Sequence, residues 1–414
     1  MKIKQLFISS ILIILIMPIP YAKATKSSSD MELYSTAVVA IDTQSDLIFF
    51  EKNKDKKMYP ASTTKILTSI IIIENCNLNE KIVVSETSIA SIPEGYQSAN
   101  LIPGEELSIK ELLTMFLVYS ANDCGYVLAD YYAGSIESFS DIMNQTAEKI
   151  GCKNSHFINP SGIHNTNHYS TAYDLSIIAK YCMKNDTFRS IVSMPECTIS
   201  ATNKSGIREY LNTNELLNKN SKFYTEDCIG IKTGYTNDSG NCLISCFSKD
   251  NIEVVCVVLG APNIDSNYSS RFIDSKKLYN YIYSNYAYKN IVNKDDVIKT
   301  IEIKNASKKT KNLILVAEND INVLLKKDSD IPDPIIQINE TLYAPISSNT
   351  ILGTLTYNIN DKTYSCNLIS ANEIEKDYFV IFIIIILMII LIILIILTIW
   401  IYKKIKRKKY DRDI

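Results

Sequence analysis

The chain reads as an α+β protein followed by a small β-rich domain and a membrane-crossing helix, and three observations predict this. Strand-like runs open the chain, helix-like runs fill its middle and strand-like runs return, which is not the regular alternation of a βαβ protein. From about Ile291 to Ser370 short alternating runs take over, punctuated by Pro332, Pro334 and Pro345. From Phe379 to Ile401 there is no charged residue.

Taken in order, Thr36 to Phe50 reads as a strand pair. Ala37 to Ile41 are apolar, Asp42-Thr43-Gln44-Ser45-Asp46 turns the chain, and Leu47 to Phe50 return. Ser62 to Ile73 reads as a buried helix, with Pro60 just before it and Ile66, Leu67, Ile70 and Ile71 at helical spacing. Leu107 to Tyr132 reads as two packed helices joined near Ser120, and Tyr173 to Lys184 as another amphipathic helix. Cys228 to Tyr235, Cys242 to Phe247 and Ile252 to Gly260 read as consecutive strands, and Arg271 to Tyr288 as a closing helix. In the β-rich part the runs are Ile298–Ile303, Leu313–Ala317, Val323–Leu325, Thr350–Tyr357 and Tyr364–Ile369. No repeat or Gly-rich phosphate loop stands out.

The ends set the topology. Lys2 and Lys4 precede an apolar run from Leu6 to Met17, and Ala22-Lys23-Ala24 fits a small-x-small cleavage site, so 1–24 is expected to be a signal peptide and 25–35 a polar linker. Crossing a bilayer takes about 20 apolar residues, so 378–402 is long enough. Tyr378, Trp400 and Tyr402 sit at its edges. Lys403, Lys404, Lys406, Arg407, Lys408 and Lys409 follow, which places the tail 403–414 in the cytoplasm and everything before the helix outside. Roughly 350 residues remain between the ends, enough for two domains with their own cores: 36–288 and 289–372.

Composition excludes some functions. The net charge of −2 and the confinement of the basic cluster to the tail give no electrostatic case for nucleic acid. The chain has three histidines, His156, His164 and His168, with no His-x-His or His-Glu-x-x-His, so no metal or other cofactor is expected. The ten cysteines are scattered, with no Cys-x-x-Cys, and Cys242, Cys246 and Cys256 lie in apolar runs. Mostly free, buried thiols are expected.

Three motifs in a fixed order carry the chemistry: Ser62-Thr63-Thr64-Lys65, Ser120-Ala121-Asn122 and Lys232-Thr233-Gly234. The first and last are unique in the chain, but Ser-Ala-Asn occurs three times, at Ser98, Ser120 and Ser370. Ser98 sits in a loop-like stretch and Ser370 follows the last motif, whereas Ser120 follows a helix-like run between the other two. A three-residue spacing on a helix puts Ser62 and Lys65 on one face. A serine hydroxyl needs a base to become a nucleophile, and a lysine serves only if burial and a second cation lower its pKa. Lys232 could be that cation. Ser120 suits proton relay to a leaving amine, and Asn122 the orientation of the substrate amide or of Lys65. Ile229 to Thr236 reads as an exposed strand on which a peptide could pair, with backbone donors for an oxyanion. Each motif alone also fits an N-cap, a solvated lysine or a turn; the ordered set does not.

With these residues in view, the chain resembles the D-alanyl-D-alanine carboxypeptidases, low-molecular-mass penicillin-binding proteins of the serine peptidase S11 type. The similarity runs from about Ala37 to the membrane segment. It includes Pro60-Ala61 before Ser62, Tyr119-Ser120-Ala121-Asn122-Asp123, Asn159-Pro160-Ser161-Gly162, His168-Tyr169-Ser170-Thr171-Ala172, Asn212-Thr213-Asn214 and Gly230 to Thr236. The resemblance implies a β-lactamase-like transpeptidase domain, an antiparallel sheet packed with helices plus a helical subdomain. It implies peptidoglycan stem peptides as substrates and β-lactam antibiotics as acylating ligands. It implies Ser62 as nucleophile, Lys65 as base, Ser120 and Asn122 as the second element, and Lys232, Thr233 and Gly234 at the substrate carboxylate. Tyr235 would supply a backbone oxyanion N–H, and Arg271 matches the family's carboxylate-binding arginine. His168 to Ala172 would pack structure. Members often end in an amphipathic surface helix, whereas this chain ends in an expected spanning helix. A β-lactamase on the same fold is the nearest rival, but Glu215-Leu216-Leu217-Asn218 lacks the Glu-x-x-Leu-Asn spacing of its class A deacylating glutamate. A DD-endopeptidase shares every motif. A penicillin-sensing receptor would need more than the short tail to signal, and a dead scaffold would lack a motif residue.

Overall fold

The computed structural model describes residues 31–410 apart from 91, 94, 266, 267 and 340. The signal segment 1–24, most of the linker and the last four tail residues lie outside the described residues. The first hairpin joins β1 (Ala37–Asp42) to β2 (Ile48–Lys52), and it turns where Asp42 Oδ2 accepts the N–H groups of Gln44 and Ser45. A 3-10 turn, Ala61–Thr64, runs directly into α1 (Lys65–Asn75). Strands β3 (Lys81–Val83) and β4 (Glu106–Ser108) pair across a long loop that carries α2 (Glu86–Ala90). Ser108 and Glu111 form a capping box at the start of α3 (Ile109–Thr114). A π-type turn, Met115–Tyr119, follows; the chain bends at Ser120 and α4 (Asn122–Ala133) begins. Helices α5 (Ile136–Ile150), α6 (Ala172–Met183) and α7 (Asp186–Val192) are opened by side-chain caps from Ser135, Thr171 and Asn185. A hairpin of β5 (Glu196–Ile199) and β6 (Arg208–Leu211) precedes the long strands β7 (Cys228–Thr236), β8 (Gly240–Lys249) and β9 (Ile252–Ala261). A short hairpin, β10 (Asn263–Asp265) and β11 (Tyr268–Ser269), leads into α8 (Ser270–Asn285).

The central sheet is antiparallel with order β2-β1-β9-β8-β7. Val39, Ile41, Ile244, Cys246, Val255 and Val257 bury one face among Ile66, Ile70, Leu175 and Ile178 of α1 and α6. Residues of the other parity meet α8: the Phe247 and Tyr279 rings lie 5.1 Å apart, and Ser245 Oγ bonds Ser275 Oγ. With both faces covered, β1, β8 and β9 are buried along most of their length and carry long apolar runs. That is why they were legible as continuous apolar runs.

The β-rich part begins earlier than its sequence reading. The closing helix, expected to reach Tyr288, ends at Asn285, and β12 (Tyr286–Val292) pairs with β15 (Ile321–Lys326). A boundary at 288/289 would cut this strand. Tyr286 turns to extended backbone and packs edge-on against Phe49, ring centroids 4.8 Å apart. Strands β13 (Val297–Glu302), β14 (Asn312–Ala317), β16 (Ile335–Ile338), β17 (Ile351–Ile359) and β18 (Lys362–Ser370) form a second sheet, ordered β13-β14-β18-β17-β16. Its apolar clusters centre on Val323, Leu355 and Leu368, and on Leu313, Leu315 and Leu352. The last helix, α9 (Phe379–Tyr410), continues through the basic residues; Phe379–Arg407 is long and apolar enough to cross a membrane. All ten cysteines are unpaired, nine of them buried. Burial pushes the Cys152 and Cys228 thiols up to about 12, so they behave as small apolar groups.

Candidate active site

A cleft of about 400 Å³ is lined by Ser62, Ser120, Asn122, Thr213, Thr233, Gly234, Tyr235 and Arg271. One wall is β7, the outer strand of the sheet, with no strand beyond it among the described residues. Gly234 explains why this strand can approach the 3-10 turn: a Cβ there would sit 2.9 Å from Ser62 N and 3.1 Å from Pro60 O. Ser120 occupies the opposite wall at φ +70°, in the left-handed region that a non-glycine residue seldom adopts. That kink ends the π-type turn and lets α4 start at Asn122, so both residues line the cleft.

Lys65 lies on the floor, fully buried. Its Nζ is 2.9 Å from Ser62 Oγ, 2.7 Å from Asn122 Oδ1 and 3.2 Å from Ser161 O. Asn122 Oδ1 and Ser161 O can only accept. A neutral amine has two N–H bonds and one lone pair, so satisfying those two acceptors leaves the lone pair for the Ser62 hydroxyl. The electrostatics favour that form. Burial, and then the charge of Lys232, hold the Lys65 pKa well below the usual lysine range, while Cys124 and Asp123 oppose weakly. Lys232 is itself pushed down to about 7 by burial and by Arg271. Burial lowers Arg271 to about 10, which leaves it charged at neutral pH.

The Arg271 guanidinium enters from α8. Its Nη1 donates to Gly234 O at 3.0 Å, and its Nε is buried without a protein partner among the described residues. Thr233 Oγ1 pairs with Thr213 Oγ1 at 2.5 Å. These groups form a cationic, hydroxyl-lined end with no carboxylate among the described lining residues. The Tyr235 side chain is exposed at the mouth, its hydroxyl donating to Asn237 Oδ1, while its backbone belongs to β7.

The loop Asn159–Gly162 braces the turn from behind. A Cβ on Gly162 would meet Ala61 O at 1.8 Å, so the two backbones are in contact. Ile158 N–H donates to His168 Nδ1, leaving the ring proton on Nε2, 2.9 Å from Thr64 Oγ1. Burial pushes His168 down to about 3 and keeps it neutral. Its contacts are structural, tying the His168 string to Thr64 of the first motif and to Ile158.

Of the three Ser-Ala-Asn strings, only that at Ser120 lines the cleft. Ser98 bonds Asp123, and Ser370 ends β18 with its hydroxyl on Ser347 O. The sequence alone assigns no role to Tyr96, Gln97, Ser161 or Thr213. Ser161 and Thr213 lay inside quoted strings; Gln97 and Ser161 act through carbonyl groups, which carry no residue signature.

Comparison with known proteins identifies the family. The peptidase S11 family, described as D-alanyl-D-alanine carboxypeptidase, matches residues 23–263, and the penicillin-binding protein 5 C-terminal domain matches 286–376. The chain is 29% identical over 381 residues to the D-alanyl-D-alanine carboxypeptidase DacF of Bacillus subtilis, covering 90% of this chain and 94% of that one. It is 31% identical to the D-alanyl-D-alanine carboxypeptidase of Streptomyces strain K15 over 58% of this chain and 84% of the other. The crystal structure of the D-alanyl-D-alanine carboxypeptidase DacD from Francisella tularensis superimposes with a TM-score of 0.62 at 25% identity, over 84% of this chain and 95% of that one. Because the S11 match alone spans more than half of the sequence, the chain belongs to the D-alanyl-D-alanine carboxypeptidase family of serine peptidases.

Proposed function

We propose that this protein is a serine-type D-Ala-D-Ala carboxypeptidase that removes the terminal D-alanine from peptidoglycan stem pentapeptides and is acylated by penicillins at the same serine. The observation that carries the reading is the buried Lys65 Nζ, with two acceptors satisfied and Ser62 Oγ at 2.9 Å. Ser62 Oγ attacks the carbonyl carbon of the penultimate D-alanine as its proton passes to Lys65. The N–H groups of Ser62 and Tyr235 hold the developing oxyanion. Collapse breaks the peptide bond, and the leaving amine takes a proton relayed through Ser120. Water then hydrolyses the ester, giving its proton to Lys65 and restoring Ser62. Lys232, Thr233 and Arg271 hold the terminal carboxylate.

The full-length protein in detergent should release D-alanine from a D-Ala-D-Ala pentapeptide and form a long-lived adduct with labelled penicillin. Rapid release of hydrolysed penicillin would point to a β-lactamase, and cleavage of cross-linked but not free stems to an endopeptidase. Arg271→Ala should lower kcat/KM on free-acid peptides by roughly 10–100-fold, the loss of a charged hydrogen-bonding partner, and change the corresponding amides little. Equal loss on both would make Arg271 a purely structural residue.

The same reading places 36–288 and 289–372 outside the membrane, anchored by α9, with the tail inside. A tag placed after Ile414 should survive protease applied to intact cells, and its removal would mean that α9 lies on the surface instead.

A further inference from the structure

Of the two Ser-Ala-Asn strings that do not line the cleft, the one at Ser98 has a structural partner directly after Asn122. Asp123, the residue after Asn122, is 1% exposed. No ion pair to it occurs among the described residues. Its carboxylate is instead wrapped by the loop of Ser98, Ala99, Asn100 and Leu101. Ser98 Oγ donates to Oδ2 at 2.6 Å, Ala99 N to Oδ1 at 2.9 Å and Leu101 N to Oδ2 at 3.0 Å. Asn100 makes the tight wrap possible at φ +56°, with its N–H on Ser98 Oγ. The loop thus has a fixed position relative to α4. The carbonyl just before it, Gln97 O, accepts both the backbone N–H of Asn122 and its side-chain Nδ2, each at 2.8 Å.

This double clamp decides which end of the Asn122 amide faces Lys65. Gln97 O can only accept, so it takes Nδ2 and leaves Oδ1 for Lys65 Nζ, at 2.7 Å. The opposite orientation would aim N–H groups at Nζ. The lone pair of a neutral amine would then turn to Asn122 instead of the Ser62 hydroxyl, and the base would be lost without any change of residue.

We propose that Asp123 is a positioning residue: by pinning the loop Ser98–Leu101 it holds Gln97 O against Asn122 and so keeps the Lys65 lone pair on Ser62. This rests on the reading of Lys65 as base. Ser62, Lys65 and Asn122 touch the reacting atoms or the base itself; Asp123 acts only through Asn122.

The test is a double-mutant cycle on the full-length protein in detergent, read as the rate of Ser62 acylation by labelled penicillin with thermal melting alongside. If the wild type is not acylated at Ser62, the functional reading fails before the cycle begins. Asp123→Asn should slow acylation by about 10–100-fold, within the coupling seen between contacting residues, and Ser98→Ala, which changes no charge, by a few fold. In an Asn122→Ala background both effects should vanish, because no amide remains to be oriented. Losses that repeat in full in that background would overturn the proposal and leave Asp123 as a loop anchor. Should Asp123→Asn fail to fold, the Ser98→Ala arm alone decides by the same criterion. The pH profile adds a second readout. Lys65 faces Lys232, Cys124 and Asp123, and Ser98→Ala leaves all three groups in place. A shift of the acid limb to lower pH in Ser98→Ala would therefore report a turned amide, whereas an unmoved limb with unchanged rate would refute it.

Discussion

Ser62→Ala should eliminate both penicillin labelling and D-alanine release while the fold persists. The reacting oxygen is removed, and no other hydroxyl lies at hydrogen-bond distance from Lys65 Nζ among the described contacts. The expected loss is on the order of 10⁴-fold or more, as for removal of a serine nucleophile elsewhere. Structure should survive because the Ser62 side chain is half-buried and, among the described residues, bonds only Lys65, while the 3-10 turn is held by Thr63 on Pro60 O and by the Gly162 contact. Intact-mass spectrometry after incubation with penicillin, together with a melting curve, checks both halves. An adduct that persists and maps to Ser98 or Ser120 would remove Ser62 from the nucleophile role.

Lys65→Arg should be nearly as damaging, for a different reason. A guanidinium stays protonated and has no lone pair to offer. The wild-type amine sits well below its ordinary range because of burial and Lys232, so kcat/KM should rise with pH as Lys65 loses its proton. It should decline again on free-acid peptides as pH passes about 7, where Lys232 of the empty enzyme gives up the charge proposed to hold the carboxylate. The decline should be weaker on amides. Acylation by Lys65→Arg within about tenfold of wild type, or a pH profile with no acid limb, would mean that another group is the base.

The sheet and the motif order were legible because both depend on local composition. Strands covered on two faces carry long apolar runs, Cys242 to Phe247 broken only by Ser245 and Val254 to Leu259 unbroken, so β8 and β9 announced themselves, while β7 was marked by its motif. Other elements were hidden for physical reasons. Tyr286 to Val292 continues the aromatic texture of α8, and only its partner β15, distant in sequence, makes it a strand. The four-residue β16 is exposed along most of its length and has little pattern to read. The amphipathic α5 went unread although Ser135 caps it. At the site, the residue types that meet around Lys65 could be named in advance, but not the carbonyl of Ser161, the clamp from Gln97 or the Thr213 hydroxyl. Main-chain groups leave no mark in a sequence, and the positive φ of Ser120 is imposed by the helices on either side of it.

The unpaired cysteines have a consequence for where such a fold can be kept. Both faces of the central sheet contain thiols, and no covalent bridge ties one segment to another. Nothing in the native state therefore depends on an oxidant, and of the ten thiols only the half-exposed Cys76 lies within reach of one. The exposure runs the other way: the unfolded thread offers ten nucleophilic sulfurs at once, so the hazard is mispairing before burial. A chain of this kind is best served by surroundings that stay reducing, or by closing its core faster than air can reach it.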